Sequence, residues 1–239
     1  MTEVHCKSCG SVTFVKNGFV RGKQRYRCKA CGCNFTDTPL RGKPAAMKAL
    51  AILLYAMGNM SFLGIARILG VSDVAVMKWV RAEAQSLPEP EIPADVATVS
   101  LDEMWHFLEK KTQKLWLWRA FDPVEWRTLA WVLGGRDDAT LRKRIDKIGG
   151  LKDRIFLTDD WEGYHRVIPE EQLFTGKDLT FGIESDHANI RHFLARFRRR
   201  TKVISKKQEM VDLSLRLHHY YHEPENFALL AASFLSIFR

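Results

Sequence analysis

Hydrophobic and polar positions change rhythm twice along the chain. Up to about residue 40 the apolar residues come in short alternating stretches, VTFVKNG and QRYRCKAC, among many Cys, Gly and Lys/Arg. From residue 43 to 84 the spacing is helical: in PAAMKALAILLYAMG, Met47, Leu50, Leu54 and Met57 recur every three to four positions. Pro44 stands near the start of that run and Gly58 just past its end, as helix boundaries prefer. SFLGIARILG follows, with Ser61 as N-cap and Gly70 as stop, and Ser72 then caps VSDVAVMKWVRAEA. Two helices joined through Leu69–Gly70–Val71–Ser72, with a third before them, predict a helix-turn-helix, Ala66 being the small residue where helices cross closely. Residues 85–95, QSLPEPEIPAD, hold three prolines and three acids and predict a stiff, extended linker.

Beyond the linker the alternation returns. ATVSLDEMWHF (97–107) reads as a buried strand with Asp102 among apolar neighbours, and KLWLWRAFD and RTLAWVLGG extend it into a β-meander. DDATLRKRIDKIGG reads as a helix, and RIFLTDDWEGY as a fourth strand ending in Thr158-Asp159-Asp160. LTFGIESDHANIRHFLARFRRRTK predicts a short strand and then a helix whose polar face carries Glu184, Asn189 and Arg191. Three strands, a helix, a strand and a helix is the order of an RNase H-like core.

Charge sharpens this division. Residues 1–85 carry 13 Lys/Arg against 4 Asp/Glu, whereas residues 86–239 carry 24 of each. A basic N-terminal part on a neutral body points to a nucleic-acid-binding module attached to something else. No window approaches eighteen consecutive apolar residues, so no membrane span is expected. MTEVHCKSCG lacks the apolar core and cleavage site of a secretory signal, which predicts a cytosolic protein.

All 5 cysteines lie between residues 6 and 33. Cys6-x2-Cys9 and Cys28-x2-Cys31 are separated by eighteen residues, a spacing that lets two knuckles present four thiolates to one structural Zn²⁺. Gly10 and Gly32 follow the pairs where such knuckles need permissive backbone. Ordinary buried thiols do not produce two such spacings. Cys33 is the spare and is expected to be a passenger. Lys16, Arg21, Lys23, Arg25, Arg27 and Lys29 surround the cluster and suit phosphate contacts, while Phe14, Phe19 and Tyr26 are expected to form a small core. The second helix of the helix-turn-helix offers Ser72, Asp73, Lys78 and Arg81 to DNA; the plain alternative is a three-helix mini-domain serving as a dimer contact.

Phosphodiester cleavage needs divalent ions, two of them about 4 Å apart, held by converging carboxylates. Asp102, the acids after Thr158 and Glu184 are placed to converge, although 24 acids lie in this half and most surface acids are simply solvated. From Arg191 to Lys207 there are eight basic residues and no acid, among them Arg191, Arg198 and Arg199, and this run is a candidate hold for the DNA backbone.

These motifs together resemble the transposases of bacterial IS-one-type insertion sequences, in which an InsA-like zinc and helix-turn-helix part is joined to an InsB-like DDE domain. The resemblance rests on the two Cys pairs with VKNG and Gly22-Lys23-Gln24-Arg25-Tyr26, on LDEMW, on LTDDW, and on Ile183-Glu184 with Asn189 and Arg191. In that family twenty-four residues separate the second Asp from the Glu, and twenty-four separate Asp159 from Glu184. The resemblance therefore implies Asp102, Asp159 and Glu184 as catalytic ligands of two Mg²⁺ or Mn²⁺ ions. It departs at Asp160, where the family often has Gly, and at Ser185, where a basic residue commonly follows the Glu, and Asp186 close by is a competing candidate for the metal.

The expected fold is a zinc ribbon over 1–40, a helix-turn-helix over 43–84, the linker over 85–95 and an RNase H-like DDE domain over 96–239. The expected function is metal-dependent cleavage and strand transfer at the inverted repeats of an insertion sequence, by a homo-oligomer on double-stranded DNA in the bacterial cytoplasm, at the nucleoid. Two rivals stand beside it: a DNA-binding regulator without catalysis, and a nuclease or integrase of another RNase H-like type.

Overall fold

The structure, a computed structural model, describes residues 4–38 and 42–235, and the chain divides into two compact units, 1–44 and 45–239. In the first, β1 (Phe14–Val20), β2 (Lys23–Cys28) and β3 (Asn34–Thr36) form an antiparallel sheet in that order. Its interior is small. The Phe14 ring lies 4.9 Å from Tyr26 and 5.6 Å from Phe35, packed with Cys6 and Cys28. Phe19, expected with them, is 72% exposed instead, because it pairs beyond the register shift in β1. A core this small does not fold a module unaided.

The second unit opens with α1 (Ala45–Ala56), α2 (Phe62–Leu69) and α3 (Asp73–Ser86). The local signals act as read. The Ser61 and Ser72 hydroxyls each accept a backbone N–H three residues on, at 3.1 Å, and Gly70 at φ 61° lets the Val71 N–H reach the Ala66 carbonyl. The packing differs. The deepest residues of α1 are Ala49, Ala51, Ile52, Tyr55 and Ala56, while Met47, Leu50, Leu54 and Met57 are half-buried. The cause is that α1 is covered on several sides: by α2 and α3, and by α7 (Gln208–His222) and α8 (Pro224–Leu235) near the end of the chain. Ile52, Ile65, Val76 and Val80 share one core with Met210, Leu213, Leu217 and Leu230.

The segment after α3 lies along this body. Leu87 is buried, its carbonyl accepts from Arg216 Nη1 at 3.3 Å, and Glu89 pairs with Arg216 and, at 3.3 Å, with Lys147. A five-stranded sheet follows: β4 (Thr98–Phe107), β5 (Lys114–Asp122), β6 (Arg127–Gly134), β7 (Ile155–Thr158) and β8 (Leu173–Thr175), in the order β6–β5–β4–β7–β8. β4, β5 and β6 are antiparallel; β7 runs parallel to β4 and β8 parallel to β7. Alternation along β4 sends Val99 and Leu101 to a core shared with Leu141 and Ile145 of α4 (Asp138–Lys147) and Tyr164 of α5 (Glu162–Val167). Met104 goes to the opposite face, with Ile190 of α6 (Phe181–Phe193) and Val211 and Leu215 of α7. Asp102 shares the parity of Met104 and so belongs to the α6 face.

One predicted strand is not formed. Leu179 closes a turn, its N–H on the Gly176 carbonyl at 3.2 Å, and α6 begins at Phe181, so LTF supplies a turn and a helix start rather than a strand. The strand is β8, six residues earlier in position and too short to show alternation. Among the described residues no helix is long and apolar enough to cross a membrane.

Candidate active site and metal centre

The four cysteines at the x2 spacings come together. Their sulfurs all lie within 4.8 Å of one another, with Cys6–Cys31 and Cys9–Cys28 each at 3.6 Å. Zn–S bonds of ~2.3 Å at tetrahedral angles require sulfurs ~3.8 Å apart, so the cluster fits that ion closely. Gly10 and Gly32 have φ near +73°, as the two knuckles need. The N–H groups of Cys9 and then Ser8 pull the Cys6 thiol down to about 6, and those of Cys31 and Ala30 lower Cys28 likewise. At Cys6 and Cys28 backbone dipoles thus favour the thiolate a metal takes, whereas at Cys9 the backbone N–H of Ser11 is outweighed by the crowded thiols of Cys31 and Cys28, which push it up to about 12. Cys33 stays outside, its sulfur 3.6 Å from the Asn34 carbonyl.

The carboxylates are positioned by strand register. Ser100 of β4 pairs with Leu157 of β7, and continuing that parallel register by two residues sets Asp102 beside Asp159. Neighbouring strands lie ~4.8 Å apart, so the two side chains are electrostatic neighbours. Burial, and with it the charge of Asp102, pushes the Asp159 carboxyl above its ordinary value. From the facing helix, His187 Nδ1 lies 3.1 Å from Asp102 Oδ2, and Asp102 Oδ1 accepts the Glu103 N–H at 2.7 Å. Burial lowers the His187 pKa, so its ring is a neutral donor to Asp102. Glu184 is one helical turn before His187 on the same face of α6, exposed, its Oε1 3.2 Å from the buried Thr180 hydroxyl. Among the described residues only the four cysteines form a group of three or more side chains close enough to hold one ion; Asp102, Asp159 and Glu184 do not close on one point.

Neighbouring acids are committed elsewhere. Asp186 pairs with the buried Arg119 and accepts the Thr128 hydroxyl at 3.1 Å. Asp160 points outward and meets His165 at 3.0 Å. Glu103 accepts from Tyr164 at 2.9 Å and from Arg136 at 2.6 Å, and burial raises its pKa. His187, Thr180 and the Arg119–Asp186 pair were not singled out from the sequence. The only signal was His187 three residues after Glu184, the spacing of one helix face.

The basic residues sort by place. Arg191, Arg198, Arg199 and Arg200 line one open groove of about 680 Å³, with Asn59 and His192. Burial, and after it the nearby Arg199, lower the pKa of Arg191, while Asp102 acts the other way. On α3, Lys78 is exposed and Ser72 spends its hydroxyl on its own cap, while Arg81 lies 3.7 Å from Glu209 of α7. In the first unit Lys23 is exposed and Arg25 Nε donates to the Asn17 carbonyl at 2.9 Å.

A family model described as IS1 transposase matches residues 96–223, more than half of the chain. The insertion element iso-IS1n protein InsB of Shigella dysenteriae is 32% identical over 110 residues, 46% of this chain and 84% of that protein. The insertion element IS1 protein InsB of Shigella flexneri is 28% identical over 117 residues, 49% of this chain and 89% of that protein. Among solved structures, a chain of the simian T-cell lymphotropic virus intasome in complex with PP2A regulatory subunit B56 gamma aligns over 72% of this chain and 69% of its own. Its TM-score is 0.35 at 11% identity, too slight a likeness to argue from.

Proposed function

We propose the following division of labour for this chain, which belongs to the IS1 transposase family. Residues 96–239 are an RNase H-like DDE domain in which Asp102, Asp159 and Glu184 are the catalytic acids. Residues 1–95 are an InsA-like part, fused to it, that binds the terminal inverted repeats: a zinc ribbon with Lys23 and Arg25 toward phosphate, and a helix-turn-helix with Ser72, Lys78 and Arg81 toward DNA.

One observation carries the catalytic reading. The β4–β7 register, paired as far as Ser100–Leu157, runs on toward Asp102 and Asp159, the charge of Asp102 acts on Asp159, and Glu184 lies one helical turn before His187, which meets Asp102; among the described residues none of the three forms an ion pair with Lys or Arg. Arg119, Arg136 and Arg191 act on Asp102 or Asp159 only without direct pairing, and carboxylates with no direct cationic partner favour metal, all three offering the hard oxygen that Mg²⁺ or Mn²⁺ takes. Divalent ions held there supply positive charge at the attacking and leaving oxygens. The chain supplies orientation: the His187 ring holds Asp102, the Thr180 hydroxyl faces Glu184, and the Asp159 carboxylate accepts the Trp161 N–H at 3.3 Å. In cleavage a water oxygen forms a bond to phosphorus and the bond to O3′ breaks, freeing a 3′-OH. In transfer that 3′-OH attacks a target phosphodiester, one P–O bond replacing another, so no external energy source is needed. Arg191, Arg198 and Arg199 hold the backbone alongside. Both transposon ends must meet, which calls for a homo-oligomer on DNA, in the cytoplasm at the nucleoid.

The test is incubation with Mg²⁺ and candidate end DNA, scoring nicked and joined products. A regulator without catalysis shifts the DNA and leaves both strands intact; a nuclease of another kind cuts without needing specific ends.

A further inference from the structure

Strand transfer brings two DNA segments to one set of acids, and the surface carries two open grooves, one of them lined in part by Asp159. The first is the arginine groove, with four guanidinium groups and no acid in its wall. The second, about 600 Å³, lies on the β7–β8 side and is lined by Asp159, Asp160, Trp161, Arg136 and Lys177. The charges there are mostly spoken for. Arg136 is bound to Glu103 and lies 5.1 Å from the ring centres of Trp116 and Trp161, and Asp160 meets His165. Lys177 is exposed and forms no ion pair among the described residues.

The turn that carries Lys177 is anchored to two of the three acids. The buried Thr180 hydroxyl lies 3.1 Å from the Lys177 carbonyl and 3.2 Å from Glu184 Oε1. On its other side, the Gly176 N–H bonds the carbonyl of Thr158, the residue before Asp159, at 3.1 Å. The backbone of Lys177 is therefore held beside the site, and its flexible stem carries an ammonium that forms no ion pair among the described residues.

We propose that the β7–β8 groove receives the backbone of target DNA, with Lys177 contacting a phosphate, while the arginine groove keeps the transposon end; the assignment rests on the transposase reading above. Charge decides which groove takes which strand. Four arginines that form no ion pair among the described residues give a strong, salt-dependent hold, suited to a strand that stays through cleavage and transfer. A single free cation beside two carboxylates gives a weak hold on phosphate without base contacts, suited to DNA captured once and irrespective of sequence.

The test uses the full chain, Mg²⁺, a precut transposon end with a free 3′-OH, and a labelled target duplex. Lys177→Ala is expected to lower joining by roughly three- to tenfold, the scale of one phosphate contact, and Lys177→Glu by more. Cleavage of an uncut end by the same variants should change much less, and unlabelled random duplex should compete with joining less well than in the wild type. Arg199→Ala is expected to weaken end binding, cleavage and joining together. Joining that is unchanged in Lys177→Glu, or that falls only in step with cleavage, overturns the groove assignment. A wild-type chain that neither cleaves nor joins overturns the transposase reading instead.

Discussion

Asp186 sits two residues from Glu184, and its loss separates structure from catalysis. Its partner Arg119 has a side chain only 4% exposed, against 18% for Asp186, and the Nε and Nη1 of Arg119 have no hydrogen-bond partner. Asp186→Asn removes the counter-charge and leaves a buried guanidinium. Breaking a buried pair in this way costs about 3–5 kcal/mol, and because the Asn amide oxygen still accepts one hydrogen bond the lower end, ~3 kcal/mol, applies. In a body the size of residues 45–239 each kcal/mol moves the melting temperature by ~2–4 °C, so the midpoint should fall by ~6–12 °C. Adding Arg119→Met removes the orphaned charge and should recover most of the loss, since apolar replacement of both members of a buried pair is near neutral. Thermal melts followed by circular dichroism measure all three chains. A single variant melting within ~2 °C of wild type, or a double variant melting as low as the single, refutes the reasoning. The double variant should also cleave end DNA; if it is stable and inert, Asp186 is itself a ligand.

Purified protein should carry about one Zn per chain; chelation or Cys31→Ser should unfold residues 1–44, and Cys33→Ser should keep the metal. Burial holds His106 and His218 down at about 4, so both fold as neutral rings. The stability this represents is complete above 6.5 and declines as pH falls toward 4, by up to ~3 kcal/mol for each ring. Urea melts at pH 7 and pH 5 should show the decline, and His218→Phe should lessen it without abolishing it, since His106 and His219 are held down likewise; an unchanged slope contradicts the assignment. DNA binding should weaken steeply with salt, and Lys78→Ala should cost preference for the end sequence more than affinity for random DNA, measured by competition. Equal loss on both would mean that α3 meets only the backbone.

Local chemistry was legible in the sequence and long-range contact was not. The Ser61 and Ser72 caps, the Gly70 turn, the paired cysteines and the strands around Asp102 each depend on residues within a few positions of one another. The packing of α1 on α7 and α8 joins residues more than 150 positions apart, as Tyr55 and Ser214 do at 2.6 Å. A signal for it existed, since PAAMKALAILLYAMG is apolar on every side, and a helix apolar all round is buried. Arg119 looked like one charge in a strand; only the fold reveals that α6 lays Asp186 against it. The choice of Asp159 and Glu184 rests on a spacing of twenty-four residues, which spans the path from β7 through β8 to α6.

The central claim concerns Asp102, Asp159 and Glu184, and the most direct measurement is cleavage and joining of end DNA by Asp102→Asn, Asp159→Asn and Glu184→Gln, one at a time, with end binding followed on the same preparations. Each substitution keeps the side-chain shape and removes one negative ligand. Each should abolish both reactions while leaving end binding nearly intact, and Asp160→Asn should remain active. An inert Asp160→Asn beside an active Asp159→Asn, or any of the three triad variants cutting and joining like wild type, would contradict the account.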